Sequence, residues 1–81
     1  MIETRTAIEY NAVRLSRREM EVLRLVSKGQ SSQEIADHIF VSRRTVEFHL
    51  ASAFSKLGVS NRISALRRAQ GLGLIPPESR I

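Results

Sequence analysis

The sequence predicts an all-α domain of four helices joined by short connections. Ser16, Ser31 and Ser42 each stand just before a stretch in which apolar residues recur every three or four positions, and serine is a preferred helix N-cap. Glycine follows or ends three of the four periodic segments, as is typical of helix C-termini. The chain has no internal repeat and no low-complexity segment, so a single small helical domain accounts for it.

The first helix is predicted to begin after Ser16 and to end at Gly29. Ser16 and Glu19 have the spacing of a capping box, in which each side chain binds the backbone amide of the other residue. Leu15 and Met20 have the spacing of a hydrophobic staple across the same helix start. One broad arc of the helix is apolar and predicts its buried side: Met20, Val22, Leu23 and Val26.

Two further helices follow closely. Ser31 and Glu34 repeat the capping-box spacing and open a short second helix, whose inner face is predicted to be Ile35, Ala36 and Ile39. Ser42 is predicted to cap a third helix over about residues 43–57, which ends before a glycine. Two short helices joined by so tight a corner predict a helix-turn-helix, the motif whose second helix fits the DNA major groove.

The faces of the third helix support this prediction. At 100° per residue its apolar residues cluster within roughly 100° of arc, as a core-facing stripe should: Val46, Leu50, Ala53, Phe54 and Leu57. The opposite side carries one large aromatic residue among mostly small ones: Arg44, Phe48, Ala51, Ser52 and Ser55. Small residues with a basic rim suit a helix that reads a groove, although a helical bundle with exposed arginine and serine that binds no nucleic acid fits the periodicity as well.

A fourth helix is predicted after Ser60 or Asn61 and ends at Gly71. Its apolar arc is wider than a helix on a small core needs, so the arc is expected to have two partners. Ala65 and Ala69 are expected to pack on the core. The other side is expected to meet a second copy of the chain, through Ile63, Leu66, Arg67 and Gln70. Burial of the whole arc in the core is the alternative. Past the helix, Leu72, Leu74 and Ile75 are expected to fold back onto the core before two prolines end regular structure.

Composition narrows the possible functions. The 81 residues allow one domain, contain no cysteine, and carry a net charge of +5. Ten basic residues face five acidic ones between positions 16 and 75, a balance that suits a polyanionic partner. No apolar run reaches the roughly 20 residues that cross a bilayer, and Glu3 and Arg5 interrupt any signal peptide, so a soluble cytoplasmic protein is expected. With His38 and His49 as the only imidazoles and no paired carboxylates, neither a metal or cofactor site nor enzyme chemistry is expected.

The motifs together resemble a known family. Residues 15–23 (LSRREMEVL), 29–36 (GQSSQEIA), 41–50 (VSRRTVEFHL), 54–59 (FSKLGV) and 61–62 (NR) follow, in order, the pattern of LuxR/GerE-type DNA-binding domains. The resemblance covers about residues 15–75. It implies the four-helix fold of the LuxR C-terminal effector domain, found in bacterial transcription regulators, with the third helix in the major groove of double-stranded DNA and the fourth (about 61–70) pairing two subunits.

The resemblance also implies site residues. Base contacts are expected from Glu47, Phe48 and Ala51, and phosphate contacts from the two helix starts and the edge of the third helix: Ser31, Ser32, Gln33, Ser42, Arg43, Arg44, Thr45 and Lys56. Related domains often have lysine or arginine in place of Glu47 and Ala51, so the target sequence of a relative does not transfer to this chain.

Three functions remain open at this point. The first is a transcription regulator that binds a two-fold-related site as a homodimer, with residues 1–14 as an arm or linker, 15–75 as the domain and 76–81 as a tail. The 14 leading residues leave no room for the family's usual sensor, so the chain is expected to be a free-standing regulator or a piece of a longer one. The second is a sigma region-four-like module that contacts promoter DNA and RNA polymerase, and the third is a helical adaptor that binds protein only.

Overall fold

The structure is a computed structural model and describes residues 13–76. Four helices follow one another: α1 (Arg17–Ser27), α2 (Ser32–Ile39), α3 (Arg43–Leu57) and α4 (Arg62–Gly71). The predicted all-helical fold is confirmed, with α2 and α3 as the helix-turn-helix. The predicted arm (1–14) and tail (76–81) lie almost wholly outside the described residues, but Val13 is half-buried against the core, so packed structure begins before position 15. None of the helices between residues 13 and 76 is long and apolar enough to cross a membrane.

Local hydrogen bonds set the helix starts. The Ser16 hydroxyl accepts from the Glu19 amide at 3.0 Å, and the Glu19 carboxylate accepts from the Ser16 amide at 2.8 Å. Ser31 and Glu34 form the same reciprocal pair at the start of α2. Ser42 caps α3, and Asn61 rather than Ser60 caps α4. These contacts join residues three apart, which is why they were readable from spacing alone.

The turn between α2 and α3 has a backbone conformation that the sequence does not predict. Phe40 ends α2 in the left-handed region, at φ 59° and ψ 47°. Its side chain is 92% exposed, the largest exposure among the large apolar residues from 13 to 76. Glycine or asparagine usually occupies such a position, because a Cβ there crowds the following carbonyl. Neither backbone preference nor packing therefore favours phenylalanine in this turn.

The core joins all four helices. The predicted inner faces of α2 and α3 are confirmed, except that Phe54 is only half-buried at the margin of the core. In α1 the predicted arc is partly wrong. Leu25 is buried although it lay outside the arc, and Met20 is half-buried although it lay inside, because α1 packs against α2, α3 and α4 and so buries more than one narrow stripe.

The fourth helix and its extension close the domain. Ala65 and Ala69 are completely buried, as predicted, and their small side chains let α4 lie close to its neighbours. Beyond the helix, Ile75 returns to the core and is only 3% exposed. The expectation that Leu72 also folds back is wrong, since it remains 43% exposed: it caps α4 in a turn that Gly73 (φ 76°) continues, and only the following residues reach the core.

Candidate nucleic-acid interface

The outer face of α3 is open and contoured by small residues. Glu47, Phe48 and Ala51 are all exposed, and the Phe48 ring is 68% exposed although the core lies on the other side of the same helix. The Phe48 ring meets the His49 imidazole edge-on, with centroids 5.6 Å apart. The three residues predicted to touch bases therefore share one accessible surface, with Ala51 leaving room for close approach.

Glu47 has a partner on its own helix. Its Oε2 accepts from Arg43 Nε at 3.0 Å, one turn towards the helix start, and both side chains are more than half exposed. The pair leaves the other N–H groups of Arg43 free and holds its guanidinium along the outer face of α3. This contact agrees with an orienting role for Glu47, and it equally describes a solvated surface ion pair.

The start of α3 offers donors. Ser42 accepts from the Thr45 amide at 3.0 Å, and its hydroxyl lies 2.9 Å from the Thr45 hydroxyl. The helical ladder begins with the Val46 amide, so the amides of Arg43 and Arg44 have no partner within it. Free amides and the partial positive charge of a helix start suit an anion.

The two helix starts lie beside each other. A shallow depression of about 400 Å³ is lined by both of them and by the first residue of α4: Ser31, Ser32, Gln33, Arg43, Glu47 and Arg62. Ser31 and Gln33 are exposed, whereas Ser32 is buried and its hydroxyl accepts from Arg62 Nη2 at 2.7 Å. Ser32 therefore supports the depression from beneath, where a direct contact was expected.

Arg62 lines this depression, although the sequence did not predict it as part of the DNA interface. It was present in the NR motif, but no local pattern connects it to a serine 30 positions earlier. Its half-exposed guanidinium lies beside both helix starts, where it adds a positive charge next to Arg43.

The structure connects Lys56 to α1. Lys56 Nζ donates to Glu19 Oε1 at 2.9 Å, and the Ser52 hydroxyl donates to Glu19 Oε2 at 2.6 Å. Ser52, predicted to lie on the side of α3 opposite the core, therefore faces α1. Burial raises the pKa of Glu19, but the hydrogen bonds from Ser52, the Ser16 amide and Lys56 outweigh it and lower the pKa to about 2. Lys56 is 40% exposed and keeps N–H groups beyond the one that Glu19 uses.

The residues on the outer side of α4 differ in how far they are exposed. Ile63 is 67% exposed and Arg67 is exposed, whereas Leu66 and Gln70 are half-buried. Leu66 also packs against the domain's own core. The four residues predicted to face a second copy thus form a partly apolar surface with Ile63 as its most accessible member.

Among residues 13–76 no three potential metal ligands come together.

Comparisons with known proteins agree with this architecture. The family model described as bacterial regulatory proteins of the luxR family matches residues 13–69. The transcriptional activator protein AnoR of Acinetobacter nosocomialis is 51% identical over 61 residues, covering 75% of this chain and 26% of that protein. The quorum sensing-dependent transcriptional regulator RpaR of Rhodopseudomonas palustris is 42% identical over 62 residues, which are 76% of this chain and 26% of RpaR.

Two solved structures are similar. The transcription factor GerE superposes with a TM-score of 0.72 and 33% identity, covering 75% of this chain and 91% of GerE. The response regulator ChrA of a heme-sensing two-component system superposes with a TM-score of 0.75 and 42% identity, covering 76% of this chain and 31% of ChrA. The chain spans about a quarter of the length of AnoR and RpaR. With its four helices in order and the family model matching most of its length, the chain belongs to the luxR family of bacterial regulatory proteins and carries that family's helix-turn-helix domain.

Proposed function

We propose that this chain is a sequence-specific DNA-binding transcription regulator, and not an enzyme, that acts in the bacterial cytoplasm with α3 in the major groove. The observation that carries the proposal is the open outer face of α3, bordered by two adjacent helix starts and three arginines: Arg43, Arg44 and Arg62. A flat apolar partner would offer no anionic group to Arg44 and Arg62, whereas a duplex presents phosphates on both sides of the groove that the helix enters.

Different residues are proposed to contact the phosphates and the bases. The amides at the start of α3, the exposed Ser31 and Gln33, and the arginines bind the backbone and fix the position of α3. Phe48 covers a thymine methyl group, and Glu47 accepts from a cytosine amino group or holds Arg43 towards guanine. Ala51 supplies the space that lets the helix sit deep in the groove.

Two copies are proposed to bind together. The exposed part of α4, centred on Ile63, meets the same surface of a second chain, and the site is then a pair of two-fold-related half-sites. The surface is small and half of it already packs on its own core, so the free chain is expected to be mostly monomeric and to pair on DNA. Membership of the luxR family favours this function over the sigma-like module, and the arginine-rich rim favours it over a protein-only adaptor.

Selection of bound duplexes from a random pool tests the proposal. The full chain is expected to enrich one short half-site in pairs at a fixed spacing, with binding that weakens steeply as salt rises. Arg44→Ala serves as the matched variant, since it removes a charge from the rim of the face without touching the core. Recovery of unrelated duplexes, or binding that does not respond to salt, would contradict the proposal.

A further inference from the structure

The fourth helix contacts the rest of the domain unevenly. Its backbone lies close to those of α1 and α3, but within residues 13–76 it makes no such approach to α2. Its core-facing residues, Ala65 and Ala69, are fully buried and offer their neighbours only methyl groups. Apolar packing is non-directional, whereas a hydrogen bond requires a distance and an angle. Polar contacts at the ends of α4 are therefore the groups that can fix its direction.

Each end of α4 has an arginine that reaches another helix. Arg62, the first residue of α4, donates from Nη2 to the hydroxyl of Ser32, the first residue of α2, at 2.7 Å. Arg68 donates from Nε to the carbonyl oxygen of Leu57, the last residue of α3, at 3.3 Å. Both acceptor residues are buried, so the core holds them in place. The two contacts connect α4 to the first and the last residue of the helix-turn-helix, and Arg62 supplies the contact with α2 that the backbone of α4 does not make.

The surface proposed for pairing lies on the same helix. Ile63, which is 67% exposed, directly follows Arg62, and the exposed Arg67 directly precedes Arg68. In a two-fold complex the separation of the two recognition helices depends on the angle between α4 and α3 in each copy. One base pair changes the separation of two half-sites by about 3.4 Å and their rotation by roughly 34°. A small change in the direction of α4 is therefore enough to change which spacing a pair of copies fits.

We infer that Arg62, held by Ser32, is a positioning residue that sets the spacing between the two half-sites that a pair of copies accepts. The inference rests on the proposed function, since it requires pairing through α4 on DNA. Arg62 retains further N–H groups for a phosphate beside the two helix starts. Its two roles are separable: the charge contributes to affinity at any site, and the contact with Ser32 contributes to the choice of spacing.

The test titrates the full chain against duplexes that carry two selected half-sites, at the selected spacing and with one base pair added or removed. The measured quantity is the ratio of the affinity at the selected spacing to the affinity at the altered spacings. Ser32→Ala removes the acceptor of Arg62 but leaves the charge of the chain and the surface of α4 unchanged, and it is expected to lower this ratio by about threefold or more. Because the ratio compares duplexes bound by the same folded protein, a loss of stability alone does not change it.

Ser31→Ala is the matched control, at the neighbouring serine of the same helix start. The Ser31 hydroxyl is exposed and accepts from the Glu34 amide. Its loss is expected to lower the affinity for every duplex alike and to leave the ratio unchanged. Arg62→Ala, which removes both the charge and the contact with Ser32, is expected to lower the affinity for a single half-site and the ratio together.

A Ser32→Ala protein with the same ratio as the parent chain would overturn the inference, and so would a Ser31→Ala protein whose ratio falls as far. A parent chain that binds equally at every spacing would overturn the pairing through α4 and the inference with it. A parent chain that binds no duplex would overturn the proposed function itself.

Discussion

Glu19 shows how one side chain can hold two helices in place. It caps the start of α1 through Ser16, and its two oxygens receive Lys56 and Ser52 from α3. The carboxylate is 6% exposed, so these donors replace most of its hydration. The position of the proposed recognition helix relative to α1 thus depends on a buried acidic residue that the sequence marks only as a helix cap.

We expect Glu19→Gln to lower the free energy of unfolding at pH 7 by about 2 kcal/mol, allowing for the partial exposure of Lys56. The folded-state pKa of about 2 lies below the ordinary glutamate pKa of 4.5, so the stabilisation is present above pH 4.5 and is lost as the pH falls from 4.5 towards 2. Denaturant titrations across this range should show that the free energy of unfolding changes less with pH in the variant than in the parent chain. Glu21→Gln, which breaks only the exposed pair with Arg18, is the control and should change stability by less than about 0.5 kcal/mol. A pH dependence as steep in the Glu19 variant as in the parent chain would disprove this role.

Glu47 places a negative charge on the outer face of α3, where the proposed function has the helix enter the major groove. We expect Glu47→Ala to relax the preference at one base pair by about 1–3 kcal/mol without unfolding the domain. The loss of a negative charge should also raise affinity for unrelated duplexes. Titrations against a series of singly substituted sites would separate the two effects. Equal tightening on every duplex would mean that Glu47 reads no base and only balances Arg43.

At the scale of the element, α4 packs on the core with one side and exposes part of the other. Its alanines are buried in the core, and its opposite side ranges from the half-buried Leu66 to Ile63, which is 67% exposed. A change at Leu66 therefore mixes loss of packing with loss of pairing, whereas a change at Ile63 leaves the core of the monomer intact. The structure thus identifies the better of the two positions for a test of pairing.

We expect Ile63→Glu to weaken binding to a paired site by about tenfold or more while leaving binding to a single half-site within about twofold, because two carboxylates would face each other across the two-fold axis. Leu66→Glu should weaken both and lower the melting temperature, since Leu66 packs on the core. Titration of one-site and two-site duplexes with each variant makes the comparison. Equal losses on the two duplexes for Ile63→Glu would remove α4 from the dimer interface.

For the molecule as a whole, the sequence predicted the features that depend on contacts between residues close together in the chain. Caps, helix ends and the inner faces of α2 and α3 follow from contacts three or four residues apart, and these were confirmed. Features that join distant segments were not predictable. Glu19 meets its α3 partners 33 and 37 residues away, and Ser32 meets Arg62 across 30 residues. The left-handed Phe40 was not predictable either, because glycine or asparagine is the residue that usually marks such a position in a sequence.

Two cations on α3 contribute to the net positive charge of the whole domain but lie in different surroundings. Arg44 is exposed on the outer face, whereas Lys56 already donates to Glu19 and retains other N–H groups for a phosphate. We expect Arg44→Ala to lower affinity for all duplexes alike and to reduce the slope of log affinity against log salt by roughly one unit.

Lys56→Ala should reduce the slope by the same amount if its remaining donors bind DNA, and it should also lower the melting temperature because Glu19 loses a partner. Lys56→Arg, which keeps the charge, should restore the slope. Titrations at four or more salt concentrations, with melting curves for each variant, decide between the two roles. A Lys56→Ala protein that is less stable but has an unchanged salt slope would assign Lys56 to the α1–α3 contact alone.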